Sequence, residues 1–489
     1  MPIRSSRSRW LKFPLEPRSS RRAASMIACA ILLAACKTFS PDGGMDVVAA
    51  IADRDLRKDV VAVRTDEDAA TARSEIVRLL KRSLTAEAAV QIALLNNRGL
   101  QAAYSELGIS EARMIAASLP PNPRTTITHV ASGTLGEFEA AAVADILALA
   151  TLPLRAEIAA DRFWQAQLRA ALETVRVAGE ARRAYYRAVA AKQLEELLIQ
   201  TQSAADTIAE VSTRLGETGA LSKLDQAREQ VFYAEVTAQL ARARLAVTTE
   251  RERLIRLMGL WGSDINFKLP SALPSLPPSP RTSRAIEQEA IRRRIDLQIG
   301  RIEIVALAKS YGLTQATRFI NVLDAGPALR RTREGEPPSV GRAGGVDVEF
   351  QIPLFDFGEV RVREAEQTYL QAVNRLAERA INARSEARDA FRVYRASHDL
   401  AGFYAREVLP LRKIISDETM LRYNAMQIDV FALLTEARQR LAANIAAVEA
   451  VRDFWLGSSE LLSVLLIGGG GAAQSPMSST AAAADTSGQ

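Results

Sequence analysis

The chain has 489 residues, 48% hydrophobic and 25% charged, so its length allows two to four domains and its apolar content suffices for a core. The formal net charge of +6 comes from residues 1–35, which contain seven basic residues and one acidic residue, while the rest of the chain is neutral. Nucleic-acid binding needs a basic surface on the folded part of a protein, so we expect no nucleic-acid partner.

Residues 1–35 have the pattern of an export signal. A basic stretch precedes an apolar run over residues 23–35, which is too short to cross a bilayer as a helix. The run ends in LAAC at 33–36, which resembles the bacterial lipobox, whose cysteine carries a covalent lipid. We therefore expect a lipoprotein signal peptide at 1–35 and lipidation of Cys36. The alternative is an ordinary signal peptide with an incidental cysteine, and both Sec and twin-arginine export stay open.

The chain offers few residues for metal or covalent chemistry. Its only cysteines are Cys29, inside the predicted signal peptide, and Cys36, so the mature chain has no thiol for a disulfide, a metal or a nucleophilic reaction. Its two histidines, His129 and His398, are about 270 residues apart, whereas metal sites usually need clustered ligands. We expect no metal site, no cofactor other than the lipid on Cys36, and no enzymatic activity.

The first half of the chain predicts a helix, two strands and two further helices. Residues 36–83 show no strong periodicity and are interpreted as an N-terminal extension. Thr85 is a good N-cap, and prolines at 120, 121 and 123 end the helix that it begins. Gly216 and Gly219 separate the last two helices. The predicted elements are helices at 85–118, 155–214 and 222–258 and strands at 124–132 and 138–149.

The second half repeats this plan after a linker at 270–281 that contains five prolines. The final segment, 468–489, is rich in glycine, alanine and serine and is expected to be disordered. The predicted elements of this half are helices at 282–311, 359–421 and 429–466 and strands at 317–330 and 345–352.

Three segments occur twice, in the same order and roughly 200 residues apart. Units of this size are far longer than those of solenoid proteins. The paired segments are 152–154 (LPL) with 352–354 (IPL), 179–185 (GEARRAY) with 385–391 (SEARDAF), and Leu100-Gln101 with Leu297-Gln298. The repetition indicates two copies of a helix–strand–strand–helix half, at 84–269 and 282–467.

The predicted strand 345–352 alternates between two kinds of side chain. Val346, Val348, Phe350 and Ile352 face one side, and Asp347, Glu349 and Gln351 face the other. In a soluble sandwich these sides would be core and water, and in a transmembrane barrel they would be lipid and lumen. Four strands cannot close a barrel, and lipid does not tolerate an open edge, whereas three copies would supply twelve strands.

Several motifs over about residues 84–466 resemble those of the TolC-type outer-membrane efflux factors. They are Leu84-Thr85 with LQAA at 100–103, LPPNP at 119–123, PLFDFG at 353–358, Arg422-Tyr423, EAR at 436–438 and DFW at 453–455. The resemblance implies an α+β membrane protein with duplicated halves. Its long coiled-coil helices would form a periplasmic α-barrel, and four strands per chain would contribute to a trimeric 12-stranded transmembrane β-barrel.

The resemblance also implies a function and partners. The chain would be one protomer of a homotrimer that serves as the passive exit duct of a tripartite efflux pump, exporting small molecules or metal ions. Its partners would be a periplasmic adaptor protein, an inner-membrane transporter and outer-membrane lipid, in a Gram-negative envelope. Lys37 agrees with the outer membrane, because an aspartate after the lipidated cysteine often marks inner-membrane retention. A type I protein-secretion exit duct and a periplasmic coiled-coil scaffold or adaptor without a channel stay open as alternatives.

By the same resemblance, the turns between paired helices would meet the adaptor and narrow the pore. The first turn contains Gly219, Ala220, Leu221 and Ser222, which resemble the family's docking tip. The alternative for these residues is a plain interhelical turn.

The second turn departs from the family pattern, because Met426 stands where a glycine is usual and only Tyr423 matches the residues that close the family's pore. The arginine and paired aspartates of that pore fall at Ile428, Ala432 and Thr435. A constriction formed by Tyr423 with Asp429, or with Asp417 and Glu418, is therefore one hypothesis, and a solvated helix end is the other.

Overall fold

The computed structural model describes residues 39–133, 135–219, 221–282, 285–335 and 339–469. The predicted signal peptide, Cys36, Ala220 and residues 470–489 of the predicted tail lie outside these ranges. The helices are α1 (Asp46–Leu56), α2 (Asp66–Leu80), α3 (Ala86–Asn96), α4 (Arg98–Ser118), α5 (Ile146–Glu217), α6 (Lys223–Met258), α7 (Ile286–Arg293), α8 (Ile295–Ala316), α9 (Glu359–Phe403), α10 (Leu409–Asn424) and α11 (Val430–Leu466). The strands are β1 (Arg124–Ser132), β2 (Leu135–Asp145), β3 (Val322–Glu334) and β4 (Ser339–Gln351).

The chain forms two compact units. The sheet unit combines residues 112–159 with residues 319–357 and contains all four strands. The helical unit combines residues 41–111, 160–318 and 358–469.

The sheet unit contains one antiparallel sheet with the strand order β1-β2-β3-β4. Strand β1 has the predicted bounds. Strand β2 ends at Asp145 instead of 149, because the Asp145 carboxylate accepts the N–H of Ala148 at 2.7 Å and so caps helix α5 nine residues before its predicted start. Pro153 therefore lies in the second turn of this helix, close to the position where the sequence pattern had indicated that the helix begins.

The second hairpin is longer than the sequence indicated. Strand β4 begins at Ser339 instead of 345, because Gly341, Gly344 and Gly345 pair with β3 although glycine is depleted in strands. Strand β3 correspondingly covers 322–334 instead of 317–330.

The N-terminal segment is part of the helical core, which the sequence analysis did not foresee. Helix α1 buries Val48, Ile51 and Leu56, and helix α2 buries Ala72 and Ile76, all within the main apolar cluster. Helix α2 starts with a capping box between its N-cap threonine at 65 and the aspartate at 68. A local signal was present, because Val48, Ile51 and Ala52 of α1 recur at helical spacing, and packing on the larger helices stabilises both helices.

The two halves share a break that confirms their duplication. The predicted helix 85–118 is interrupted at Asn97 (φ −67°, ψ 115°), and the predicted helix 282–311 is interrupted at Arg294 (φ −61°, ψ 122°). These positions are equivalent when Leu100-Gln101 is matched to Leu297-Gln298. Neither position is a glycine or a proline, so the local sequence did not predict a break. Side-chain contacts stabilise both breaks. The Asn97 side chain donates to Leu257 O at 2.9 Å, and Arg294 pairs with Asp296 at 2.7 Å.

The predicted helix 359–421 is also divided. A π-helical turn at Tyr404–Val408 separates α9 from α10, and Pro410 occupies the first turn of α10. Proline has no N–H to donate to the preceding turn, and a π-turn accommodates that loss without ending the helix. None of the helices in the described ranges combines the length and apolarity needed to cross a membrane.

Candidate channel wall and helical tips

The sheet separates acidic from apolar side chains between its two faces. Residues directly opposite each other on neighbouring strands share a face, and the register is constant along each strand pair. All seven acidic residues of the strands fall on one face, which we call the charged face: Glu137, Glu139, Asp145, Asp324, Glu334, Asp347 and Glu349. The opposite, apolar face contains Ile127, Ala140, Leu329, Val346, Val348 and Phe350.

Ion pairs connect side chains of different strands on the charged face. Arg330 Nε lies 3.0 Å from Glu137 Oε1, and Arg330 Nη2 lies 3.7 Å from Glu139 Oε1. Arg124 pairs with the buried carboxylate of Asp324. Exposed pairs of this kind contribute little to stability, but their position on one face indicates contact with water.

The apolar face is uncovered in the single chain. The side chain of Val346 is 74% exposed and that of Phe350 is 61% exposed. The two outer strands, β1 and β4, each have an edge without a partner strand among the described residues. An exposed apolar face and two long open edges are both unfavourable in a water-soluble monomer.

One close approach inside the sheet requires glycine. A Cβ atom on Gly326 would lie 1.9 Å from the carbonyl oxygen of Ala142 on the neighbouring strand. The next residue, Pro327, cannot donate to β2 and pairs with Val346 on β4.

The first helical tip is a tight turn between α5 and α6. Gly219 has φ +75°, and nothing lies within 4 Å of the position that its Cβ would take. The Leu221 N–H donates to Leu215 O at 3.2 Å, and Ser222 caps α6 by accepting the N–H of Asp225. Three of the four residues of the predicted docking tip thus lie in this turn, and Ala220 lies outside the described residues.

The second helical tip joins α10 to α11. Met426 has φ +56°, which lies in the left-handed region that favours glycine. The residue is 93% exposed. Asp429 accepts the N–H of Ala432 at 2.8 Å and is the N-cap of α11. Tyr423 is half-buried near the end of α10.

The acidic pair of α10 is exposed and lies apart from this turn along the helix. Asp417 and Glu418 both face solvent in the single chain, and Glu418 forms an ion pair with Arg422 at 3.1 Å. This pair offsets the charge of Glu418. An acidic ring built on Asp417 or Asp429 stays a prediction.

The two tips pack against each other within the helical unit. A small cavity lined by Leu221, Asp225, Glu229 and Asp429 lies between them, and the Arg228 guanidinium lies 4.8 Å from the centre of the Phe431 ring. The first tip and Asp429 are therefore brought together, although the sequence places them about 210 residues apart.

Glu229 is a residue of this region that the sequence analysis missed. Its side chain is buried, and its Oε2 atom has no hydrogen-bond partner among the residues that the structure covers. Burial raises the pKa of this carboxyl, the charge of Arg438 lowers it and that of Asp225 raises it, and the net result is a pKa of about 7. The available signal was its spacing of three residues from Phe232 and seven from Val236, which are buried on the same helix face.

The histidines occupy unrelated positions. His398 is buried, with Nε2 3.1 Å from the carbonyl oxygen of Pro277, whereas His129 is on strand β1. Within the described ranges, no three His, Cys, Asp or Glu residues are grouped in a way that could hold a metal ion.

No family model matches the sequence, and a search of the curated proteins gives no match either. Solved structures do match. CusC, whose structures concern folding and transmembrane channel formation, superposes with a TM-score of 0.66 at 15% identity over 81% of this chain and 94% of its own. The outer-membrane channel OprN gives 0.64 at 18% identity over 84% and 94%.

The CmeC outer membrane channel of Campylobacter jejuni gives 0.66 at 15% identity over 78% of this chain and 85% of its own. The matches extend over nearly the whole of each channel, and the helices and the four-stranded sheet belong to one shared architecture. The chain therefore has the fold of these outer-membrane channels, which is the fold that its motifs predicted.

Proposed function

We propose that the chain is one protomer of a homotrimeric outer-membrane exit duct that serves a tripartite efflux pump as a passive channel. The observation that carries the proposal is the division of charge in the sheet. A wall with lipid on one side and water on the other needs an apolar outer face and a polar inner face. The apolar face carries apolar side chains on all four strands, and the acidic side chains of β2, β3 and β4 all lie on the charged face.

Closure of the wall requires further copies of the chain. Unpaired backbone groups at a sheet edge are not tolerated in lipid. Because β1 and β4 run in opposite directions, β4 of one protomer can pair antiparallel with β1 of the next. Three protomers around one axis would then give twelve strands without an open edge, as the resemblance implies.

The remaining parts of the proposal concern partners and location. The helical tips at Gly219 and Asp429 would meet a periplasmic adaptor, which links the duct to an energised inner-membrane transporter that exports small molecules or metal ions. Lipid on Cys36 would add an anchor in the outer membrane of a Gram-negative cell. The sequence has no Gly-Lys-Ser/Thr phosphate loop, which agrees with a duct that does not supply the energy itself.

The test is reconstitution of the purified full-length protein. We expect a trimer in detergent and stepwise ionic conductance when the trimer is added to a planar bilayer. A trimer that inserts into vesicles but never conducts would contradict the channel and favour the coiled-coil scaffold. Transport of candidate small molecules, metal ions and a secreted protein by cells with and without the chain would then separate efflux from type I secretion.

A further inference from the structure

One row of side chains across the apolar face contains basic residues. The register places His129, Phe138, Arg331 and Arg342 side by side on β1 to β4. Arg333, two residues along β3, lies on the same face and pairs with Val340. This row lies towards the two hairpin turns, beyond the apolar side chains Ile127 and Leu329.

Within the described strand residues, the arginines of this row share their face with no carboxylate. All seven acidic side chains of the strands are on the charged face, where Arg330 forms ion pairs with Glu137 and Glu139. Arg331 and Arg342 are directly opposite each other, and no ion pair of either is found among the described residues. Like charges opposite one another in a sheet are destabilising, so an anion between them would stabilise the pair.

The position of the row matches the boundary of an apolar band. Phe350 and Arg342 are eight residues apart on β4, or about 27 Å at ~3.4 Å per residue. A strand tilted by about 40° would place them roughly 20 Å apart along the barrel axis, close to the ~25 Å height of the apolar band in such barrels. The aromatic Phe138 in the row agrees with the aromatic girdle that flanks this band.

We propose that Arg331 and Arg342 bind the phosphate groups of a phosphorylated glycolipid in the outer leaflet, with one such site per protomer. The proposal rests on the proposed function, because only a barrel turns this face towards lipid. At one end the strands are joined by the hairpin turns, and at the other end they continue into helices. The proposed function assigns those helices to the periplasm, so the turns and the row belong to the outer leaflet. Guanidinium groups bind phosphate oxygens in a bidentate manner, and two of them on facing strands fit one phosphate.

The experiment measures lipid binding to the purified full-length trimer in detergent. The probes are bisphosphorylated lipid A, the same lipid with both phosphates removed, phosphatidylglycerol and inorganic phosphate. The variants are Arg331→Gln, Arg342→Gln and their combination. The matched control is Arg330→Gln, which removes the same charge one residue away but on the charged face. Trimer yield is recorded for each variant.

We expect lipid A to bind at least tenfold more tightly than its phosphate-free form and than phosphatidylglycerol. The double variant should lose at least tenfold of this affinity, and Arg330→Gln should remain within about twofold of the wild type. Equal binding of the phosphate-free lipid or of phosphatidylglycerol, full displacement by inorganic phosphate at equal concentration, or an equal loss in Arg330→Gln would each overturn the site. Conductance of the same wild-type preparation separates the two proposals: conductance without phosphate-dependent binding removes the lipid site alone, whereas a preparation that never conducts removes the channel.

Discussion

Glu229 couples the stability of the helical tips to pH. Burial raises the pKa of its carboxyl from an ordinary value of 4.5 to about 7. Between these two values the folded protein holds a proton that the unfolded chain has released, so stability falls as pH rises through this window. The groups whose charges act on it are Arg438, which lowers the pKa, and Asp225, which raises it.

We therefore expect Glu229→Gln to be more stable than the wild type at pH 8 and to lose most of this advantage at pH 5. Glutamine keeps the shape of the side chain and removes the buried charge. Thermal unfolding of the detergent-solubilised protein at both pH values measures the difference. A melting-temperature difference that is the same at pH 5 and pH 8 would show that the carboxyl does not titrate in this window.

Gly219 makes a different kind of contribution, through its backbone. With φ +75° and open space around its Cβ position, it shapes the first tip without packing against any side chain. We expect Gly219→Trp to abolish efflux and adaptor crosslinking while trimer yield stays near the wild-type value, because bulk at this turn obstructs docking. Drug or metal accumulation in cells, with crosslinking to the adaptor, measures both effects.

A matched control is available in the other unit. Gly133 also has a positive φ, +57°, with nothing within 4 Å of its Cβ position, but it lies in the turn after strand β1. Gly133→Trp carries the same backbone strain, of about 1–2 kcal/mol, and should preserve efflux. Loss of trimers in Gly219→Trp, or equal loss of efflux in both variants, would contradict a docking role for Gly219.

Residue-level features were only partly predictable from the sequence. A glycine between two helical patterns marks a turn by itself, and Gly219 is found in one. Met426 was recognised as a departure from glycine, and the structure shows that the backbone keeps the conformation that glycine favours. The spacing of Glu229 from Phe232 and Val236 indicated its burial only in part, because its environment also includes residues of α11 that are distant in sequence.

At the scale of elements, the alternation of β4 gives the sharpest test of the barrel. Val348 faces away from the charged face and is opposite Ala325, whereas Glu349 is opposite Asp324. An arginine on the lipid side of a barrel costs about 2–4 kcal/mol at mid-bilayer and less towards either interface. An arginine on the wet side at 349 would lie opposite a carboxylate.

We expect Val348→Arg to reduce strongly the amount of trimer in the outer-membrane fraction, and Glu349→Arg to leave it nearly unchanged. Fractionation of cells followed by quantification of the trimer measures both variants. Equal tolerance at the two positions would remove the assignment of this sheet to a lipid-facing wall.

The elements with strong local signals were predicted well. Strand β1 and helix α11 were found with bounds within one residue of the observed ones, because prolines precede β1, Gly133 follows it, and Asp429 caps α11. The breaks at Asn97 and Arg294 and the helices α1 and α2 were missed. Tertiary contacts rather than local propensity stabilise these features, as the Asn97 bond to the end of α6 illustrates.

At the scale of the whole molecule, the duplicated halves of the chain and the open edges of its sheet both agree with the proposed trimer. Each half contributes one hairpin to the sheet, and the resulting four-stranded sheet has two edges that no other strand of the described residues pairs with. The sequence predicted this duplication from its repeated segments. It could not predict the register between the hairpins, which depends on the close approach of β2 to Gly326.

The proposed barrel, which would anchor the assembly by itself, makes a clear prediction about Cys36. We expect Cys36→Ser to abolish incorporation of labelled palmitate and to preserve trimer assembly and conductance, because the twelve strands of the proposed barrel would hold the protein in the membrane without an acyl chain. A single acyl chain gives only marginal membrane binding by itself, whereas a membrane-spanning structure is effectively irreversible. Metabolic labelling and the trimer content of the outer-membrane fraction measure the two effects. Palmitate that is still incorporated into the variant would show that residues 33–36 are not a lipobox, and a trimer that leaves the membrane would show that the lipid, rather than the sheet, is the anchor.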